Sequence, residues 1–199
     1  MEITAALVKE LRDETGAQMM LCKKALIEAN GDIEAAKIVL RKMGIDNSAR
    51  RSDREVSAGI IYSYIHDNRI GVMLELNCET DFVAKNEEFK ALAKTIAMHI
   101  AWANPDYIDV TNIPPDRLKL ESDIIKSQLK PEQEKFLNKI LPGKMAKFYE
   151  KVCLTEQKEL NVSEGKLTIR EVMGAFSGKV GENVKLARFV RYEMGNKAE

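Results

Sequence analysis

The residue types that most often carry covalent or metal chemistry are few and far apart in this sequence. The cysteines are Cys22, Cys78 and Cys153, and the histidines are His66 and His99. A structural zinc site needs about four Cys or His ligands at short characteristic spacings, and no Cys-x-x-Cys pair is present. An odd number of widely spaced cysteines is typical of reduced thiols in the cytosol. We therefore predict no metal ion and no other cofactor.

Enzymatic chemistry has little support in these residues, although one alternative stays open. A small thiol enzyme would pair Cys78 or Cys153 with a histidine, but no carboxylate or cysteine visibly converges on His66 or His99. Lone thiols in amphipathic segments usually pack as small hydrophobic residues. Neither a P-loop pattern nor a dinucleotide-binding glycine pattern is present. We expect a protein that is not an enzyme and does not itself bind a nucleotide.

The overall charge argues against a nucleic acid or a membrane as the main partner. Lys and Arg together number 31, as do Asp and Glu, so the formal net charge is zero. The one basic cluster, Arg50, Arg51 and Arg54, is interrupted by acidic residues and is typical of a solvated linker. No apolar run approaches the ~20 residues that span a membrane, and Met1 leads directly into a charged amphipathic segment. With 45% hydrophobic residues, the chain is expected to be a globular cytoplasmic protein.

Three short helices are predicted over residues 1–45. The first begins near Thr4 and stops at Gly16, where a left-handed residue is expected. The third follows Asp32, whose carboxylate suits a helix N-cap, and is expected to close at Gly44. Turns this short between helices predict a small bundle that forms a module of its own.

A charged linker over residues 46–57 and a second domain over residues 58–199 are predicted to follow. From Ala58 the apolar residues alternate, which predicts two strands joined by a turn at Asp67-Asn68. The alternation returns near Val184. We expect this last strand to join the hairpin, because a two-stranded sheet alone is marginally stable.

Helices are predicted to flank this sheet. Their start signals are Asn86, Pro115, Pro131 and Thr168. The helix after Pro131 is expected to break at Pro142-Gly143, and a further helix would carry Phe148 and Val152.

The segment that joins the second strand to the next helix has residues suited to a protein contact. Residues 78–86 read Cys-Glu-Thr-Asp-Phe-Val-Ala-Lys-Asn. Thr80 or Asp81 suits the N-cap of a turn. From residue types alone, Phe82 is expected to fold back onto the core, because aromatic side chains in loops are usually packed.

This segment and several others resemble the elongation factor Ts family. Residues 80–83, Thr-Asp-Phe-Val, are similar to the family's signature, and residues 11–32 are similar to its ubiquitin-associated-like opening. Residues 154–157 and 181–192 also fit, in the family's order. The resemblance implies an α+β protein: a three-helix ubiquitin-associated-like module, then a core with a small antiparallel sheet flanked by helices. It also implies a translation elongation factor that serves protein biosynthesis as the guanine-nucleotide exchange factor of elongation factor Tu.

The resemblance further implies roles for four residues of the signature. In the family this loop enters elongation factor Tu and disturbs its magnesium and phosphate site, which releases GDP. Phe82 would be a rigid apolar wedge and Asp81 would hydrogen-bond and orient the loop, while Thr80 and Val83 would frame it. A wedge must be partly exposed in the free protein, which reverses the expectation for Phe82 from residue types alone.

A second contact is implied for Met19 and Met20 at the start of the second helix. In the family this helix docks on the nucleotide domain of elongation factor Tu. Adjacent helix positions lie about 100° apart, so we expect one methionine to face the bundle core and the other the partner.

Two matters stay open at this point. The longest family members carry two related core halves, whereas this chain has one, which implies a homodimer as the alternative to a monomer. A ubiquitin-associated-like adapter that binds a Tu-like GTPase without accelerating GDP release is the alternative function.

Overall fold

The N-terminal region consists of three helices around a small core. The computed structural model describes residues 3–129, 136–160 and 167–195. Helix α1 spans Ala5–Thr15, α2 spans Met19–Glu28 and α3 spans Ile33–Arg51. Thr4 caps α1. As predicted, the helix ends at Gly16, which has a φ of 65°. The Oδ1 atom of Asp32 accepts the backbone N–H of Ala35 at 2.8 Å, which confirms the predicted cap of α3.

The predicted end of the third helix at Gly44 is wrong, because α3 continues to Arg51. Gly44 is buried where α3 crosses the later helix α8, Ile169–Val180. A Cβ atom built on Gly44 would lie 3.4 Å from the carbonyl oxygen of Gly174 in α8. Packing of α3 against α8 carries the helix through Gly44, although the local propensity of glycine predicts a stop. Residues 46–51, predicted as linker, are therefore helical.

A three-stranded antiparallel sheet forms the centre of the rest of the chain. Strand β1 spans Ala58–His66, β2 spans Ile70–Cys78 and β3 spans Val184–Glu193, in the order β1-β2-β3. Asp67 and Asn68 have φ values of 48° and 56°, so the predicted turn is confirmed. The last strand does join the hairpin, as expected, and the fold class is α+β.

Helices cover one face of the sheet and enclose the main core. Helix α5 spans Glu87–Ala103 and begins at Asn86, whose side chain accepts the backbone N–H of Glu88 at 2.9 Å. Its predicted apolar stripe is fully or almost fully buried, at Phe89, Leu92, Ile96 and Ile100. Short helix α4, Asp81–Ala84, links β2 to α5.

Helices α6, Pro115–Ser127, and α7, Leu137–Val152, pack together beside this core. The predicted start at Pro131 lies outside the described residues. The predicted break at Pro142 is wrong, since α7 runs through it. Proline fits the helical φ, but inside a helix it removes one backbone donor and crowds the carbonyl one turn earlier. The burial of Phe148 and Val152 later in α7 offsets this local cost.

Helix α8 connects to the sheet through a tight turn. Thr168 caps it in a reciprocal capping box with Glu171, and Gly181 ends it at φ 81°. Strand β3 follows after only two more residues. Among the described residues, no helix is both long enough and apolar enough to cross a bilayer.

Candidate partner-binding surface

The Thr80–Val83 segment forms a single helical turn at the end of β2, and we call it the Thr80 turn. Thr80 is the N-cap of α4, with an extended φ of −130°, and its Oγ1 atom lies 3.5 Å from the N–H of Val83. Val83 and Ala84 are buried against the main core. Val83 and Ala84 therefore fix the turn to the core, and the other side chains of the turn face outward.

Phe82 is the most exposed large apolar side chain in the described part of the molecule. Its relative exposure is 90%, compared with 9% for its neighbour Val83. It does not fold back onto the core. Exposure of an aromatic ring has an unfavourable free energy in water, and a centrally placed aromatic ring is a common interface hot spot. A partner that buries this ring would remove most of its apolar surface from water, which favours binding.

The side chain that accepts hydrogen bonds from the Thr80 turn is Glu182, which the sequence did not single out. Its Oε2 atom accepts the backbone N–H groups of Glu79 and Thr80 at 3.2 and 3.1 Å. Its Oε1 atom accepts the hydroxyl of Thr80 at 2.6 Å. Asp81, expected to orient the loop, is exposed and has no side-chain hydrogen bond among the described residues. It is left available to a partner.

A second set of hydrogen bonds ties the same region to the end of α3. The Oε1 atom of Glu79 accepts the N–H of Asn183 at 2.6 Å and Nη1 of Arg54 at 3.4 Å. The Nδ2 atom of Asn183 donates to the carbonyl oxygens of Ser52 and Arg54 at 3.3 and 2.9 Å. The turn after α8 thus holds both the Thr80 turn and the segment that follows α3.

Met19 and Met20 both lie on the surface, with exposures of 54% and 65%. The expectation that one of them faces the bundle core is wrong. They occupy the first turn of α2, and the residues of α2 that reach the small core are Cys22, Ala25 and Leu26, further along the helix.

The start of α2 lies beside the end of α8. A Cβ atom built on Gly181 would lie 2.6 Å from Nε2 of Gln18, and one built on Gly16 would lie 2.5 Å from Cε of Lys179. Lys179 also pairs with Glu88 of α5 at 2.7 Å. Phe82 and the methionine pair are consequently both carried by segments tied to the end of α8. The Thr80 turn is joined to Glu182, and the start of α2 lies beside Lys179 and Gly181.

The three thiols and the His99 imidazole have environments that suit packing. All three cysteines are buried, and burial raises the pKa of Cys78 and of Cys153 to about 11 and also raises that of Cys22. Such thiols stay protonated and are poor nucleophiles. Burial lowers the pKa of His99, whose Nε2 atom lies 3.0 Å from Oε1 of Gln157. In the parts of the chain that the structure describes, no three His, Cys, Asp or Glu residues cluster as metal ligands.

The exposed, preformed turn is typical of a protein-interaction site, and sequence comparison identifies the kind of protein. The family model described as "Elongation factor TS" matches residues 2–196. The chain is 50% identical to elongation factor Ts of Syntrophus aciditrophicus and 48% identical to that of Thermodesulfovibrio yellowstonii, with 98% of each chain covered in both comparisons. It is 49% identical to elongation factor Ts of Thermosipho melanesiensis, over 97% of this chain and 99% of the relative. The chain belongs to the elongation factor Ts family, a family of translation elongation factors.

Proposed function

We propose that this protein is the guanine-nucleotide exchange factor of elongation factor Tu, and that it acts in the cytoplasm without catalysing a chemical reaction. Family membership supports the partner and the activity. The observation that carries the mechanism is the 90% exposure of Phe82 on a turn whose neighbours are buried or hydrogen-bonded.

The mechanism needs only differential binding. A GTPase holds GDP through phosphate contacts and a Mg²⁺ ion that neutralises phosphate charge. The exchange factor binds the nucleotide-free GTPase more tightly than the GDP-bound form, and linkage then requires that it weaken GDP binding by the same factor. Phe82 enters the partner and displaces side chains near the Mg²⁺ site. Asp81 offers a free carboxylate beside it, while Thr80 and Val83 fix the turn.

The N-terminal helices supply a second contact in this proposal. Residues 1–45 act as a docking module, residues 46–57 connect it to the core, and residues 58–199 deliver the Thr80 turn. Met19 and Met20 contact the nucleotide domain of elongation factor Tu, in both its GDP-bound and its nucleotide-free state. Flexible, polarisable methionine side chains suit a surface that must remain in contact while the partner changes conformation.

Stopped-flow release of fluorescent GDP from elongation factor Tu tests the proposal, with the wild-type protein and Phe82→Ala compared. We expect the wild type to accelerate release strongly, and Phe82→Ala to reduce the acceleration at saturation at least about 30-fold, the effect of truncating an interface hot spot. Leu120→Ala, at a residue of α6 that is 54% exposed, is the matched control and should behave as wild type.

Each alternative gives a different result. If the wild type binds elongation factor Tu without changing the release rate, the protein is an adapter. Equal acceleration by wild type and Phe82→Ala would refute the role of Phe82 but not the exchange function. Alkylation of the cysteines would abolish the activity of a thiol enzyme. The proposed exchange reaction uses none of the three thiols, so it should survive alkylation that leaves the protein folded.

We also propose that two copies of the chain associate through the uncovered face of the sheet. The register of the strands puts the exposed apolar residues of this face on one side, at Ile61, Ile65, Met73, Val190 and Tyr192. A patch of this kind on all three strands favours a partner surface. A second copy is the expected occupant, because the chain has one core where the longest family members have two, and a twofold axis would pair the patch with itself.

Light scattering of the free protein at micromolar concentration tests the dimer. We expect twice the mass of the chain for wild type, and the mass of one chain for Met73→Glu with an unchanged circular dichroism spectrum. Met73 is 51% exposed at the centre of the patch, so a charge there opposes association without entering the core. A wild-type monomer under these conditions would contradict the dimer.

A further inference from the structure

Phe82 projects from a helix too short to be stable by itself. Helix α4 has four residues, and an isolated helix of that length does not persist in water because its nucleation is costly. Burial of Val83 and Ala84 fixes the chain on the C-terminal side of Phe82. The chain on the N-terminal side of Phe82 lies at the surface, where Thr80 and Asp81 are exposed. Something other than burial must therefore hold that side in place.

The Glu182 carboxylate meets this need with three hydrogen bonds. Its Oε2 atom receives two successive backbone N–H groups, from Glu79 and Thr80, and its Oε1 atom receives the Thr80 hydroxyl at 2.6 Å. Hydrogen bonds to an ionised acceptor are stronger than those between neutral groups. The Thr80 carbonyl also accepts the Cys78 thiol at 3.2 Å. Thr80 is thus held through its N–H, its carbonyl and its hydroxyl.

Glu182 is itself held in register by the surrounding turn. The Ser177 hydroxyl donates to its carbonyl oxygen at 2.5 Å. The next residue, Asn183, donates its N–H to the side chain of Glu79. Glu79 and the Glu182–Asn183 pair are therefore joined in both directions: the Glu79 N–H donates to Glu182, and the Glu79 carboxylate accepts from Asn183.

We propose that Glu182 is a positioning residue for nucleotide exchange: its carboxylate holds the Thr80 turn in the conformation that presents Phe82 to elongation factor Tu. This inference rests on the proposed function. Glu182 acts through Phe82, and its hydrogen bonds limit the conformations of the turn before the partner arrives. A turn ordered in advance loses less conformational entropy on binding.

The test uses the full-length protein and the variants Glu182→Gln, Thr80→Val and Thr80→Ser. The glutamine keeps the size of the side chain but removes its charge and turns one oxygen acceptor into a donor. Serine keeps the hydroxyl that valine removes. Asp123→Asn is the control, since it removes one carboxylate from an exposed ion pair with Lys126 on α6.

Two readouts separate positioning from general stability. Amide hydrogen exchange of Glu79 and Thr80, followed by NMR, should become about tenfold faster in Glu182→Gln and unchanged in Asp123→Asn. The saturating rate of GDP release should fall about tenfold in Glu182→Gln and Thr80→Val. The Thr80→Ser variant, which keeps the hydroxyl, should support GDP release at the wild-type rate. In a Phe82→Ala background, Glu182→Gln should produce no further loss, because both changes act through the same ring.

Other outcomes overturn the proposal. Unchanged amide exchange at Glu79 and Thr80 in Glu182→Gln would mean that the carboxylate does not hold the turn. An equal loss of rate in the wild-type and Phe82→Ala backgrounds would assign Glu182 a role independent of Phe82. If wild type itself failed to accelerate GDP release, the proposed function would fall, and the amide-exchange readout would still decide whether Glu182 holds the turn.

Discussion

Phe82 and the Met19-Met20 pair both present apolar side chains to solvent, and they do so by different means. Phe82 is a rigid ring on a four-residue helix whose orientation depends on hydrogen bonds from a distant part of the chain. Met19 and Met20 are flexible side chains in the first turn of α2, and no side chain caps that helix. The Phe82 region rests on the large sheet-based core, and the methionine region on the small core of the N-terminal helices.

The difference indicates a division of labour in the proposed exchange reaction. A ring held in one orientation can displace groups in a partner, because moving the ring away is opposed by the hydrogen bonds and by the burial of Val83. Flexible side chains cannot exert such displacement, but they keep contact with a surface that changes shape. We therefore expect the Phe82 region to determine the saturating exchange rate and the methionine region to determine affinity.

The largest effect, on the free energy of unfolding, is expected from Leu26→Ala. This variant tests whether the two regions are separately stable. Leu26 is fully buried in a core that has six buried side chains among the described residues, against seventeen around the sheet. Leucine-to-alanine changes in cores cost about 2–5 kcal/mol, a larger share of stability for the smaller core. Thermal unfolding by circular dichroism should show early loss of helix in Leu26→Ala.

Leu74→Ala is the matched control, at a buried residue on the core face of β2. In this variant the whole protein should unfold at a lower temperature. Leu26→Ala should retain the saturating exchange rate and need a higher concentration to reach it. A single unfolding transition, shifted equally in both variants, would indicate one cooperative unit. It would contradict the expectation that the two regions are separately stable.

A smaller effect is expected from the double variant Met19→Ala, Met20→Ala. Truncation of two exposed side chains should leave the fold intact and remove contact area that contributes about 1–2 kcal/mol to binding. Titration in the GDP-release assay should show half-saturation at a concentration roughly 5–30 times higher. The saturating rate should not change. A reduced saturating rate with unchanged half-saturation would contradict the proposed division between the two regions.

The smallest effect is expected at the contact that joins the two regions, where α3 crosses α8. Gly44→Ala should raise the free energy of unfolding by about 0.5–1 kcal/mol, since alanine has the better helix propensity. The added Cβ atom would meet the Gly174 oxygen at 3.4 Å, an ordinary contact. In Gly178→Ala the added atom would meet Cα of Gly44 at 3.3 Å, which should offset the gain. Urea unfolding would measure both variants, and destabilisation by Gly44→Ala would mean that the crossing tolerates no side chain.

Local signals in the sequence predicted much of this fold. The caps at Asp32 and Thr168 and the turn at Asp67-Asn68 were correct, because each depends on a few neighbouring residues. The predicted helix ends at Gly44 and Pro142 were wrong. In both cases the local cost of glycine or proline is outweighed by packing against a helix or core elsewhere in the chain, which no local pattern reveals.

The candidate site was predictable only in part. Residue types alone favoured a buried Phe82, and the family resemblance was needed to expect its exposure. The importance of Glu182 could not be read from spacing, because its contacts are with residues more than a hundred positions away. Gly181, the left-handed residue that turns the chain just before Glu182, was the one local signal near it.

The hydrogen bonds that Thr80 donates to Glu182 also impose an order on folding during synthesis of the protein. The two residues are 102 positions apart, and β3, which completes the sheet, begins at Val184, two positions after Glu182. At about 5–20 residues per second, a ribosome needs roughly 5–20 s to travel from one to the other. During that interval β2 lacks one neighbouring strand and the Thr80 turn lacks its acceptor. The nascent chain therefore acquires the Phe82 surface only after Glu182 has emerged, when most of the chain has already been translated.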